Sequence, residues 1–454
     1  MTVFIIIFIT AVLSLFIGVS GKNSGMSRYV GILGLLIAFS LSYMPDCNFF
    51  LRYGSMYIYD DSARILTQVS IFITILIFFL GGCAFTDHRN HRSELYSLML
   101  LSLCGGIVLF GFKNLVTLFL GIEILSIPLY VLVGSNKTSL SSTEASMKYF
   151  LTGAFATGFL LFGIAMIFGS VGSFSLAEIQ NYSLHSGKNP MFVVGFILMF
   201  CAMAFKASLA PFHSWSPDVY QGSPSLITSF MATVVKISAF GTLFKLMLAG
   251  FIGSYANWIN IVSAVAIITL ILANIVGLVQ NNIKRMLAYS SVSHAGYITL
   301  IFFGVNEYSF DKMIYYLVAY SIATIGAFIM LIWVEKLKGD SSVESFRGMG
   351  RVYPVLSVVA TISMLSMAGI PLTAGFIGKF TLFAQAINSA PYLVVVAIIG
   401  SALSIAYYLK PIKAMFFHKE TFTSQEKPSL TYNIIAVVIG ILIIALGVYP
   451  SVLL

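Results

Sequence analysis

The chain has 454 residues, of which 59% are hydrophobic and only 9% charged. A soluble globular chain averages about 25% charged residues, so little charged surface remains to face water, and a soluble enzyme or a nucleic-acid binder is excluded. The formal net charge of +9 therefore calls for a topological reading rather than a nucleic-acid one.

A helix needs roughly 20 apolar residues to cross a bilayer core. Taken from the N-terminus, apolar runs separated by charged or Gly/Pro/Asn breaks fall near residues 2–19, 29–45, 65–86, 94–111, 113–134, 146–169, 191–214, 224–249, 256–280, 286–304, 312–335, 353–386, 391–416 and 430–452. They predict an all-α polytopic membrane protein of about 14 transmembrane helices. The first run lacks a basic start and a small-residue cleavage site, so it reads as a membrane helix rather than a signal peptide.

Charge tests the count. An even number of spans puts both termini on one side of the membrane. With that side outside the cytoplasm, the cytoplasmic connections hold sixteen basic residues: Lys22, Arg28, Arg89, Arg92, Lys137, Lys148, Lys284, Arg285, Lys336, Lys338, Arg347, Arg351, Lys410, Lys413, Lys419 and Lys427. The opposite side holds five: Arg52, Arg64, Lys113, Lys188 and Lys312. This is a strong positive-inside bias, and a miscounted helix would scramble it.

A faint internal repeat runs through the chain. Lys148-Tyr149-Phe150-Leu151 in the sixth run has a counterpart in Tyr315-Tyr316-Leu317-Val318 of the eleventh. Proline-broken segments follow in both halves, Ser208-Leu209-Ala210-Pro211 and Ala368-Gly369-Ile370-Pro371. An offset of five helices, being odd, inverts one copy in the membrane, and inverted repeats with interrupted helices mark transporters. Each break reads either as a proline kink packed by its neighbours or as a hydrated half-channel. Lys206, His213, Trp215 and Asp218 surround the first; Thr373, Gly375 and Lys379 surround the second.

Four ionisable residues lie deep inside these runs: Glu123, Lys206, Lys236 and Lys379. A charge at mid-membrane costs about 3 kcal/mol on insertion scales, so such residues pair, line water or relay protons. Glu123 reads as a partner of Lys206, or as a protonated carboxyl donating between helices. Lys236 has no acid near it in its own run, whereas Lys245 lies closer to a run end and can snorkel. His294 sits in the polar strip Ser290-Ser291-Val292-Ser293-His294, which suits a water chain or a packing hydrogen bond equally. The four cysteines, Cys47, Cys83, Cys104 and Cys201, form no CxxC or Cys/His cluster, and no P-loop or dinucleotide fingerprint occurs. No iron–sulfur cluster, haem, zinc or nucleotide is therefore expected in this chain.

Three stretches carry a family resemblance: Phe119-Leu120-Gly121-Ile122-Glu123-Ile124-Leu125-Ser126-Ile127-Pro128, Phe205-Lys206-Ala207-Ser208-Leu209-Ala210-Pro211-Phe212-His213 continuing to Pro217-Asp218-Val219-Tyr220-Gln221-Gly222, and Asn282-Ile283-Lys284-Arg285-Met286-Leu287-Ala288-Tyr289 continuing through His294 to Tyr297. Together they resemble the antiporter-like subunits of proton-translocating NADH:quinone oxidoreductase (respiratory complex I), and most of all its N subunits. Lysine at position 379, within Gly375-Phe376-Ile377-Gly378-Lys379, agrees with the N type. The resemblance implies that Glu123 and Lys206 form the ion pair of the fifth and seventh helices, that Lys236 is the central lysine of the eighth, and that Lys379 is the terminal group of the twelfth. It implies an N-terminal three-helix segment (1–93), a five-helix repeat (94–250), its inverted copy (251–420) and a final helix (421–454). The implied activity is proton translocation coupled to quinone reduction, in a bacterial inner membrane with both termini periplasmic. The implied partners are other membrane subunits and, through them, a hydrophilic redox arm. A subunit of a cation/proton antiporter is the alternative, and a structural spacer with vestigial charges is a third reading.

Overall fold

The structure, a computed structural model, describes residues 2–19, 25–44, 56–84, 92–418 and 426–452. Lys22, Cys47, Arg52, Arg89 and Lys419, and the side chain of Cys83, lie outside the described residues.

Backbone polar groups in lipid must find partners within their own segment, which makes an apolar chain helical. The helices in order are α1 (Thr2–Val19), α2 (Met26–Leu41), α3 (Asp61–Ala84), α4 (Arg92–Phe110), α5 (Leu115–Val133), α6 (Leu140–Val171), α7 (Leu176–Ser186), α8 (Pro190–Lys206) and α9 (Trp215–Gly222). They continue with α10 (Ser225–Lys245), α11 (Tyr255–Val279), α12 (Ile283–Ile298), α13 (Ser309–Lys338), α14 (Met349–Val352), α15 (Pro354–Ala368), α16 (Ala374–Ala386), α17 (Pro391–Phe417) and α18 (Leu430–Val448). Every expected apolar run falls on a helix. Nine helices among the described residues are long and apolar enough to cross a membrane.

Two differences stand out. The seventh run stays helical only to Lys206, and the twelfth divides into α15 and α16. Both interruptions precede a proline, which has no N–H to give and clashes with the preceding turn. Each also holds a non-glycine residue in the left-handed region, Ser208 at φ 56° and Leu372 at φ 71°, a conformation that surrounding structure must enforce. The short helices α7 and α9 lie outside the long-run pattern, since neither is long enough to register as a span.

The chain divides into two compact units. The first comprises Met1–Ile75, His88–Trp215 and Val234–Val262. In it α4 packs on α5 and α1, and α6 on α8. Gly105 of α4 permits the first contact: a Cβ there would lie 2.2 Å from the Leu125 backbone nitrogen of α5, the close approach that small residues allow between membrane helices.

The second unit comprises Leu76–Asp87, Ser216–Thr233 and Ser263–Leu454. Its centre is α13, buried on all sides from Met313 to Val334, with α15, α16 and α18 against it. A helix apolar all round belongs in an interior.

One local device recurs. Asn114 caps α5 by accepting the Val116 N–H and pairs across a β-bridge with Ser175, just past the Gly172 cap of α6. Asn282 caps α12 by accepting the Arg285 N–H and pairs across a β-bridge with Ser342, just past the Gly339 cap of α13.

Candidate functional site

The Asn114 cap fixes the start of α5, so Glu123, Ser126 and Tyr130 follow at spacings that put them on one face. Glu123 is half-buried, and the Thr157 hydroxyl of α6 donates to its Oε1 at 2.8 Å. Lys206, the last residue of α8, reaches this face one turn further along. Its Nζ donates to Ser126 Oγ at 2.8 Å and to the Tyr130 hydroxyl at 3.4 Å. Tyr130 meets Tyr149 edge-on, Tyr149 stacks on Trp215 with ring centroids 4.6 Å apart, and Trp215 Nε1 donates to the Phe205 carbonyl at 3.2 Å. Glu123 and Lys206 are thus held by separate hydroxyls on one face of α5, the carboxylate by Thr157 and the ammonium by Ser126 and Tyr130 beside the Tyr130 and Phe205 rings.

The end of α8 also serves Lys236. Ala207 begins the irregular segment, and its carbonyl accepts from Lys236 Nζ of α10 at 2.6 Å. Lys206 and Lys236 are 5% and 2% exposed, so at one break a buried lysine ends the helix and the next residue receives a second. His213 is buried within the same break. Lys245 donates to the Phe110 carbonyl at 3.0 Å and pairs with Asp60 at 3.5 Å, as suits a lysine near a helix end.

The second unit repeats this arrangement. α15 stops at Ala368, where Gly369 turns the chain at φ 87° before Pro371. The Ala368 carbonyl accepts from Lys379 Nζ of α16 at 2.9 Å and from Ser401 Oγ of α17 at 3.1 Å. Lys379, 4% exposed, also donates to Ser401 Oγ at 2.9 Å. Its Nζ lies 4.7 Å from the centroid of Tyr297, a favourable seat for a cation.

The far side of Tyr297 leads to His294. Its Nδ1 lies 2.7 Å from the Tyr316 hydroxyl and its Nε2 3.3 Å from that of Tyr408. Tyr408 in turn meets Ser290, and Tyr320 lies against the imidazole. Ser293 donates to Asn274 Oδ1 at 3.1 Å, and Tyr407 donates to the same atom at 3.3 Å. His294 therefore sits in a buried cluster of hydroxyls, with the Tyr297 ring between it and Lys379.

Sequence reasoning named the five ionisable centres but not Ser126, Tyr130 and Thr157, nor Ser401, Tyr297 and Tyr408, as their neighbours. The spacing of Ser126 and Tyr130 from Glu123 was an available signal; the others depend on tertiary contacts. Two ion pairs were also missed: Lys284 lies 2.9 Å from Glu335, and Asp218 pairs with Arg285 at 2.7 Å. Among the described residues no group of three or more His, Cys, Asp or Glu side chains could hold a metal ion.

Residues 113–404 match the family model described as "NADH:quinone oxidoreductase/Mrp antiporter, TM". The NADH-quinone oxidoreductase subunit N of Cytophaga hutchinsonii is 39% identical over 96% of this chain and 97% of its own. A chain of respiratory complex I from Thermus thermophilus, solved with bound aureothin, is 31% identical, with a TM-score of 0.84 over 99% of this chain and 97% of that one. A chain of the Mrp complex from Dietzia sp. shares the fold at a TM-score of 0.86, covering 99% and 95% of the two chains, with 18% identity. By the extent of these matches, the chain belongs to the NADH:quinone oxidoreductase/Mrp antiporter transmembrane family.

Proposed function

We propose that this chain is a proton-translocating membrane subunit of NADH:quinone oxidoreductase (respiratory complex I), with no redox centre of its own. One observation carries the reading: in each unit a buried lysine donates to the carbonyl left at the end of a broken helix, Lys236 to Ala207 and Lys379 to Ala368. A carbonyl binds an ammonium more strongly than a neutral amine, so each break favours the charged lysine where burial opposes it. That balance lets a lysine gain and lose a proton. Two charges about 8 Å apart repel by about 2 kcal/mol at an effective dielectric of roughly 20, enough to move protonation along a row.

In this reading quinone chemistry elsewhere in the complex disturbs the Glu123–Ser126–Lys206 group. The change passes to Lys236 and onward, through the hydroxyls around His294 and water, to Lys379. Against ~150 mV each charge moved costs about 3.5 kcal/mol, which the electrostatic steps must supply. The chain spans a bacterial inner membrane about 14 times with both termini periplasmic. Residues 94–250 and 251–420 are inverted five-helix repeats, flanked by the three-helix segment 1–93 and the last helix in 421–454. The recurrence of the Asn-capped bridge and of the lysine at a break carbonyl supports the repeat. Its partners are the other membrane subunits and, through them, the redox arm.

The test is Lys236→Ala in the assembled complex reconstituted in vesicles. Proton pumping is expected to be lost; unchanged pumping would remove the central lysine from the mechanism. The alternative, a subunit of a cation/proton antiporter, uses the same lysines without a redox partner. Purification separates the two, since only the first reading expects flavin- and iron–sulfur-bearing subunits to accompany this chain.

A further inference from the structure

Lys284 and Glu335 form an ion pair that the mechanism above does not use. Lys284 lies in the first turn of α12 and Glu335 near the end of α13, both in the second unit. The pair is graded: the Glu335 side chain is 23% exposed and that of Lys284 only 8%. Glu335 Oε2 also accepts from the Ser225 hydroxyl at the start of α10. Lys284 Nζ donates to the Ser223 carbonyl at 2.9 Å and approaches that of Gln221 at 3.5 Å. Every proton of the ammonium thus has an oxygen before it, and the carboxylate keeps an edge toward water.

Inward of the pair the polar line continues. Lys284 and Ser291 are seven residues apart on α12 and so share a face. That face looks on α9, where the Tyr220 hydroxyl, one residue before Gln221, lies 3.4 Å from Ser291 Oγ. Ser291 hydrogen-bonds Tyr320, which lies against the His294 imidazole, and its neighbour Ser290 meets Tyr408 of the same cluster. The N-terminus of α12 is tied down independently: Ile283 N donates to the Ser341 carbonyl at 2.8 Å and Val343 N to that of Asn281 at 2.9 Å. A pair needed only as a fastener would be redundant here, and a buried ion pair contributes little net stability over apolar packing.

We propose that Glu335, with Lys284 as its partner, is the proton-uptake site of the His294 cluster on the side of the basic loops. The proposal rests on the translocation reading above. Lys284 gives one proton inward, by way of the Tyr220 and Ser291 hydroxyls. Glu335, having taken one proton from water, returns it across the 2.9 Å contact to the Lys284 amine. The ammonium and carboxylate are then restored, and one proton has entered. Glu335 is the group that must be transiently neutral.

The assembled complex in vesicles provides the test. In Glu335→Gln, which keeps the shape and the contact to Ser225, the pumping rate is expected to fall by about 100-fold, the lower end of what a positioned proton donor contributes. Infrared difference spectra recorded on NADH addition should show a deuterium-sensitive protonated-carboxyl band that vanishes in Glu335→Gln and stays in Glu344→Gln, an exposed control. Should Glu335→Gln fail to assemble, Glu335→Asp is measured instead, and the band must move in it. Unchanged pumping in Glu335→Gln, or a band that neither variant alters, overturns the proposal. If Lys236→Ala abolishes pumping while Glu335→Gln does not, this inference fails alone; if neither has an effect, the reading beneath it fails.

Discussion

Ser126 accepts the shorter of the two hydrogen bonds that Lys206 donates to α5, 2.8 Å against 3.4 Å for Tyr130. Its hydroxyl donates in turn to the Ile122 carbonyl at 2.6 Å, so its lone pairs are aimed at the lysine. A buried group that loses its partner costs about 1–3 kcal/mol, more when charged. Ser126→Ala is therefore expected to slow pumping by about tenfold, corresponding to about 1.4 kcal/mol, and Tyr130→Phe by less. Pumping rates of the two variants in vesicles check the order; equal effects would mean that Lys206 is held chiefly by its aromatic wall. At this scale the sequence revealed charge far better than its setting. Glu123, Lys206, Lys236 and Lys379 stand out because they lie deep inside apolar runs, where a charge is costly. The oxygens that receive them are common residues, and two are backbone carbonyls, Ala207 and Ala368, which no residue type announces. What the sequence did offer was the proline a few positions after each: Pro211 frees the Ala207 carbonyl four residues back, whereas that of Ala368 is left open by the end of α15.

Among the elements, the interrupted helices were legible and the packing was not. Pro211 and Pro371 mark where α8 and α15 stop, whereas the closeness of α4 to α5 depends on which glycine faces which backbone. An alanine at Gly105 would put its Cβ 2.2 Å from Leu125 N and 2.6 Å from Leu125 Cα, so two backbones must separate rather than one side chain turn. Gly105→Ala is expected to cost about 1–3 kcal/mol through overpacking and to lower the thermal midpoint of the purified complex. An unchanged midpoint would mean that the two helices tolerate a wider spacing.

The connection after α13 offers a test by acidity. The Ser342 hydroxyl, and Ser345 Oγ at 2.6 Å, donate to Asp340 and hold its carboxyl below the usual range. A depressed value favours the ordered loop fully above the ordinary carboxylate pKa, about 3.9, and the benefit is lost as pH falls through the lowered value. Protection of the amides across residues 340–347, taken relative to their intrinsic exchange rates, should therefore fall on acidification in the native chain. In Asp340→Asn that step should disappear; a step of equal size there would assign it to another group.

For the whole molecule the decisive quantity is which side each loop faces. The exposed surface supports a lipid solvent: Phe155 and Phe162 of α6, Ile399 of α17 and Ile441 of α18 are all more than half exposed, an arrangement that water would penalise. Such faces say nothing of sidedness, which came from counting lysines and arginines between apolar runs. The proposed count treats α8 with its irregular tail, and α15 with α16, each as a single run. Lys188 lies before α8 and Lys338 at the end of α13, and five of the expected spans separate them. In the proposed topology an odd number puts them on opposite sides, with Lys338 on the cytoplasmic one by the positive-inside bias. In a background with all four native cysteines replaced, Lys338→Cys should react with a membrane-impermeant thiol reagent only in inverted vesicles, and Lys188→Cys only in right-side-out ones. Labelling of both from the same side would remove one span between them. It would also remove the inversion of the proposed repeat, which needs an odd number of spans between its copies.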